Sequence, residues 1–371
     1  MKLLNASGCL DALTAPEVAR SLDAFVTKTV TPLPRDGNAP PRIAEVEHGM
    51  LNSIGLANPG IDRFLAHTLP RLGELGVPVW VSVGAFAIAD YADLCDRLDD
   101  RPEVEAIELN VSCPNVDDVP ASVGEIVAAS RAATRKPLYT KLSPATADIA
   151  EVARAAQEAG TDGLSLVNTI LGLALDEQTL RPRLSRGAGG LSGAALKPIA
   201  LAAVYACYAA TGLPVVGMGG IASGRDALEL IAAGAESVAL GTILFSDPGA
   251  PARIRAELAS EIAGLGVGET DNAIGLAHTE TAPASESPGA PQRCLPSKHP
   301  ANRALSSWLT ASPHLLVCGV RASAQDSGPG TAPLAGSAHG SAQAGERHSR
   351  PPGPAEEGPQ NRHRQHRRRP A

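Results

Sequence analysis

Glycines recur at two places in this sequence where an apolar run ends. "VVGMGGIASGRDALEL" carries Gly217, Gly219 and Gly220, and "ALGTILF" carries Gly241 and Thr242. Without a Cβ, such positions let backbone N–H groups close on a phosphate, although helix packing also calls for glycine. Lys28 in "VTKTV" and Lys141 in "YTKLS" sit near the ends of two further runs. A bare buried ammonium is prohibitively costly, so each lysine must face a structural carboxylate or an anionic ligand. Asn52, Asn110, Asn115 and Asn168–Thr169 add amides that donate and accept at once. They suit a ring presenting alternating C=O and N–H groups, while any single Asn also fits a turn. Cys113, in "ELNVSCPNV", follows an alternating run and precedes Pro114. None of the histidines of the first 280 residues (His48, His67, His278) falls at a strand end, which leaves Cys113 as the group placed to act as a base once activated. Inert packing is the other explanation of a lone cysteine after a strand.

These residues need a frame that gathers them. Eight short β-rich runs are expected at 2–5, 24–30, 78–83, 106–111, 138–142, 163–168, 214–219 and 237–241. Between them lie helical patterns at 91–98, 123–133, 149–159, 197–210, 224–233 and 252–265. "AGTDG", "TGLP" and "AAGAES" mark the joints at which a helix ends and a strand begins. Several strands are near-continuous apolar runs, as parallel strands buried on both faces require. Eight such units in roughly 250 residues predict an α/β fold of the (β/α)8 TIM-barrel type, with active residues at the C-terminal strand ends. A doubly wound open sheet is the alternative, but the Gly-rich fingerprint expected after its first strand is absent.

Composition divides the chain in two. Residues 281–371 hold eleven Arg or Lys against five acids, a net of +6, which leaves −13 for residues 1–280. Thirteen of the 31 prolines also fall after Thr281, and the chain ends in the basic cluster "NRHRQHRRRP". The expectation is a catalytic barrel over 1–280 and a low-complexity, disordered C-terminal tail over 281–371, solvated rather than bound to nucleic acid. Six cysteines without a CxxC pair argue against a metal or iron–sulfur site and against a disulfide framework. No apolar run of transmembrane length stands out, and the simplest expectation is a reducing cytoplasm with no membrane contact.

The ordered set "NASGC", "VTKTVTPLPRDGNAPPRIAE", "GMLNSIGLANPG", "IELNVSCPNV", "YTKLSP", "LVNTI", "GGLSG", "VVGMGGIASGRDA" and "ALGTILF" resembles dihydroorotate dehydrogenase, specifically the class 1B catalytic subunit. The likeness runs from about residue 3 to "NAIGLAH" at 272–278. It implies an FMN-containing barrel that oxidises dihydroorotate to orotate in pyrimidine synthesis, with Cys113 as base and hydride transfer to FMN. By the same resemblance Lys28, Asn52, Ser53, Ile54, Gly55, Leu56, Asn110, Asn168 and Thr169 hold the substrate. Ser7, Lys28, Thr29, Asn110, Lys141, Val167, Gly193, Gly219, Gly220, Gly241 and Thr242 hold FMN. It also implies a homodimer within a heterotetramer, in which a separate subunit carrying FAD and a [2Fe–2S] cluster passes electrons to NAD. The chain's own cysteines offer no cluster pattern. Ser82 stands where the family has a flavin-contacting Asn, Ala145 replaces the Asn of "KLSPN", and Met1 falls almost on the first strand, where a short β-hairpin usually comes first. A class 1A-like fumarate-reducing or other FMN oxidoreductase, and a degenerate non-catalytic barrel with an RNA-binding tail, are the competing functions.

Overall fold

The structure, a computed structural model, describes residues 1–111 and 119–279, with the side chains of 119–121 left aside. Cys113 and Asn115, and the tail expected from Thr281, lie outside the described residues. Twelve strands follow one another among those described: β1 (Lys2–Asn5), β2 (Phe25–Val26), β3 (Ile43–Val46), β4 (Gly49–Asn52), β5 (Val79–Val83), β6 (Val104–Asn110), β7 (Leu138–Leu142), β8 (Gly163–Leu166), β9 (Ile170–Gly172), β10 (Gly189–Ser192), β11 (Val215–Met218) and β12 (Ser237–Leu240). Eight are parallel neighbours in the order β1-β12-β11-β8-β7-β6-β5-β2. A parallel bridge from Leu4 to Ala24 brings the two ends together, so the sheet is a nearly closed (β/α)8 barrel.

Alternation along the strands sorts residues to two sides of this wall. Ile107, Leu109, Leu138, Leu164 and Leu166 face the helices in the main core, and Leu4, Val26, Trp80, Ala106, Val216, Met218 and Ala239 form a separate apolar cluster inside the barrel. All six expected helices are present, with ends within a few residues of the pattern. Ile149–Glu158 starts where the Asp148 carboxylate accepts from the backbone N–H groups of Ala150 and Glu151, and it buries Val152, Ala153 and Ala156 on one face. Gly224–Ala232 is capped in the same way by Ser223. The stretch Ala194–Thr211 is long and apolar enough to cross a membrane by length and composition. Here it lies on the barrel, with Ala200, Ala203, Val204 and Cys207 buried.

Two features depart from expectation. The second strand, expected over 24–30, keeps ladder pairing only at Phe25–Val26. Thr27 N–H still bonds Trp80 O and Val30 N–H bonds Ser82 O, so three steps on this strand oppose two on β5. That extra residue is a bulge, and it turns both Lys28 and Thr29 toward the barrel mouth where regular alternation would turn only one. The second departure is a separate antiparallel sheet, β3-β4-β10-β9, which brings residues 49–52 beside 190–192 across the mouth.

Candidate functional site

A cavity of about 1140 Å³ opens at the C-terminal ends of the barrel strands. Every described residue of the expected set lines it: Ser7, Lys28, Thr29, the run Asn52–Leu56, Asn110, Lys141, Val167, Asn168, Thr169, Gly193, Gly219, Gly220, Gly241 and Thr242. Their elements explain the convergence. Ser7 follows β1, Asn110 closes β6, Lys141 lies on β7, Val167 to Thr169 follow β8, and the glycine pairs follow β11 and β12. The antiparallel sheet supplies Asn52 and holds it over the mouth, where its amide donates to Gly190 O at 3.3 Å.

The cationic wall comes first. Lys141 is 6% exposed, and Lys28 lies along Gly8, whose missing Cβ would stand 3.1 Å from the ammonium nitrogen. Burial, and then the neighbouring Lys141 charge, push the Lys28 ammonium below the ordinary lysine range. Lys28 makes no ion pair among the described residues, which leaves the anionic ligand of the two alternatives. Lys141 has one, Glu108, at 3.9 Å. Cys9 also faces the cavity; burial raises its thiol above the usual range against the opposing pull of Lys141 and Lys28.

A polar chain runs beside the lysines. Asn168 donates to Asn110 Oδ1 at 3.3 Å, Asn110 donates to Thr29 Oγ1 at 3.2 Å, and the Thr29 hydroxyl is hydrogen-bonded to those of Ser82 at 3.1 Å and Ser7 at 3.3 Å. Ser82 is fully buried in this network and does not reach the cavity surface, whereas Ala145 does. Asn58, which sequence reasoning passed over, fixes the loop carrying Asn52–Leu56. Its side chain bonds Thr31, Leu56 O and Gly60 N–H at 2.7–3.1 Å.

The opposite wall fits a phosphate. Gly219 and Gly220 hold φ of +122° and +78°, and a Cβ on Gly220 would come within 2.6 Å of Lys197 Cβ. Beside these glycines a 3-10 turn, Ala194–Leu196, runs straight into the helix that Lys197 begins; Lys197 N–H bonds Ala194 O and Pro198 carries no N–H, so an anion here is left to the glycine backbone. Thr242 and Ser192 bond each other at 2.8 Å on the same wall. Ser192, like Cys9, was not among the expected residues; its place in "GGLSG" was the available signal. A cavity with glycines on one wall, and a buried and a half-buried lysine with a chain of amides on another, fits a phosphate-bearing planar cofactor with an anionic ring substrate over it.

Comparison with known proteins agrees with this geometry. A family model described as Dihydroorotate dehydrogenase matches residues 2–262. The dihydroorotate dehydrogenase B (NAD(+)) catalytic subunit of Desulforudis audaxviator is 44% identical over 264 residues, covering 69% of this chain and 86% of that protein. The protein of the same name from Geobacillus kaustophilus is 40% identical over 285 residues, covering 74% and 90%. A Solibacter usitatus protein named for the fumarate-type dihydroorotate dehydrogenase A is 43% identical over 262 residues, covering 69% and 86%. The crystal structure of the Eimeria tenella enzyme with ferulenol shares the fold, with a TM-score of 0.64 at 24% identity over 74% of this chain and 85% of that one. With the family model spanning the whole barrel and the relatives covering most of their own length, this chain belongs to the dihydroorotate dehydrogenase family.

Proposed function

We propose that the barrel oxidises dihydroorotate to orotate in pyrimidine biosynthesis, with FMN as its cofactor. The observation that carries this is the convergence of all eighteen described site residues on one cavity, with Lys141 buried and Lys28 half-buried in its wall. Ser7, Thr29, Lys141, Val167, Gly193 and the glycine pairs would hold FMN, the glycines taking its phosphate. FMN supplies the acceptor for the hydride that leaves C6 of the substrate. Lys28 meets the substrate carboxylate, while Asn52, Asn110, Asn168 and Thr169 meet the ring's C=O and N–H groups. Three residues past the end of β6, Cys113 takes the C5 proton as thiolate, so that proton and hydride together leave a carbon–carbon double bond. A base needs its own proton gone first, and a cationic environment favours a thiolate.

Electrons leave the reduced protein through a second subunit carrying FAD and a [2Fe–2S] cluster, with NAD as final acceptor, in a heterotetramer built on a homodimer. The support is the "catalytic subunit" in the relatives' names, which implies a partner. Fumarate is the competing acceptor, favoured by the Solibacter relative. Orotate formation followed by its absorbance separates the two. Turnover of this chain alone with fumarate decides for the A type, and turnover that requires an added electron-transfer subunit and NAD decides for the B type.

A further inference from the structure

Beneath the cavity floor sits a carboxylate that the proposed chemistry does not use. In register, Glu108 on β6 stands beside Ser82 and Tyr139, and Lys141 on β7 stands between Asn110 and Ser165. All point into the barrel. Glu108 is 1% exposed, as is Ser165. Glu108 Oε1 and Ser165 Oγ find no hydrogen-bond partner among the described residues. Below them the interior is apolar, with the Trp80 and Tyr139 rings 4.4 Å apart and Ala106, Val216 and Ala239 alongside. Glu108's one ion-pair partner among the described residues is therefore the Lys141 ammonium, at 3.9 Å.

Burial penalises a lone carboxylate and a lone ammonium alike. Lys141 carries a second burden in Lys28, a like charge on the same wall. Among the described residues, the titratable groups facing Lys141 are Glu108 from β6, Lys28 from the bulge after β2 and Cys9 from the loop after β1. Of these, only the Glu108 carboxylate attracts the ammonium. We propose that Glu108 is a positioning residue that keeps Lys141 charged and aimed into the cavity, so that the bound cofactor's electron-rich edge meets a permanent cation. Glu108 touches no ligand itself; it acts through Lys141. The inference rests on the FMN site proposed above.

The test is FMN affinity, read from flavin fluorescence on release, between about pH 6 and pH 10. Wild type, Glu108→Gln, Glu108→Asp, Lys141→Met and the Glu108→Gln/Lys141→Met double variant are compared. Glu108→Gln should bind nearly as wild type at the acid end and lose about tenfold or more in affinity at a pH where wild type has lost little. Glu108→Asp should keep the wild-type pH curve, because it keeps the charge. With Lys141 already Met, adding Glu108→Gln should leave the pH curve where it was. A Glu108→Gln curve parallel to wild type, or the same shift in the Lys141→Met background, overturns the inference. Should the Gln variant not fold, a shifted curve in Glu108→Asp overturns it, and an unshifted one beside a shifted Lys141→Met curve sustains it. A wild-type chain that binds no FMN at any pH removes the cofactor site and this inference with it.

Discussion

Charges at the bottom of the barrel and the lysines that line its cavity are treated in opposite ways. At the N-terminal end, Asp99 accepts from Arg135 N–H at 2.6 Å, Thr134 Oγ at 2.8 Å and the Arg135 guanidinium at 3.0 Å. Arg101 pairs with Glu103 at 2.8 Å, Arg131 with Asp162 at 2.8 Å, and Lys2 with Glu105 at 3.0 Å. At the C-terminal mouth, Lys28 makes no such contact among the described residues and Lys141 has only a carboxylate at 3.9 Å. Charges closed on each other at the bottom tie loops together. Cations left facing a cavity at the mouth are a cost to the fold that an anionic ligand removes. The bottom is where stability is set and the mouth is where chemistry is done.

Substitutions should separate the two ends cleanly. The largest effect is expected at Cys113. Cys113→Ser should slow substrate-driven flavin reduction at neutral pH by about 10²–10⁴-fold while FMN stays bound, and unchanged rapid-mixing rates would remove the thiol from the mechanism. Gly220→Ala comes next, because its φ of +78° and the 2.6 Å approach to Lys197 Cβ leave no room for a methyl group. FMN content after purification should fall by about tenfold or more, and stoichiometric flavin would break the phosphate assignment.

Lys28→Met should weaken orotate binding by about tenfold and flatten its pH dependence. Since the Lys28 ammonium lies below the ordinary range, wild-type affinity for the anion is full at low pH and falls as pH rises through that lowered value. Calorimetry across pH checks this, and an unchanged slope in the variant would put the titrating cation elsewhere. The smallest effect belongs to the bottom. Hydrogen bonds, the Arg135 backbone N–H first, hold the Asp99 carboxyl well below the usual range. A depressed carboxyl stabilises the fold above its unfolded value near about 3.9 and loses that contribution as pH falls toward the folded value. Asp99→Asn should therefore cost about 1–2 kcal/mol at neutral pH, less in acid, and leave FMN affinity untouched. A change in cofactor binding would blur the contrast between the ends.

Much of this was legible in the residues because barrel units are local. Each strand–loop–helix segment carries its own pattern, so "YTKLSP" or "VVGMGGIASGRDA" places its lysine or glycines at a strand end without knowledge of the rest. What depends on distant pairing was not legible. The sheet β3-β4-β10-β9 is made of three- and four-residue strands, several rich in glycine, and its β4–β10 pairing joins segments about 140 positions apart; such strands have no periodicity of their own. Glu108 read as one polar position in an alternating strand; only closure of the barrel makes it a buried carboxylate under Lys141. The bulge that turns both Lys28 and Thr29 to the mouth is likewise set by pairing with β5, not by "VTKTV" itself.

The central claim is that this cavity holds FMN and that dihydroorotate reduces it. An absorbance spectrum of the purified chain, taken without oxygen before and after adding dihydroorotate, tests it most directly. The account predicts an oxidised flavin band that bleaches on addition, promptly in wild type and slowly in Cys113→Ser. A colourless protein, or a flavin band that dihydroorotate leaves unchanged, would contradict it.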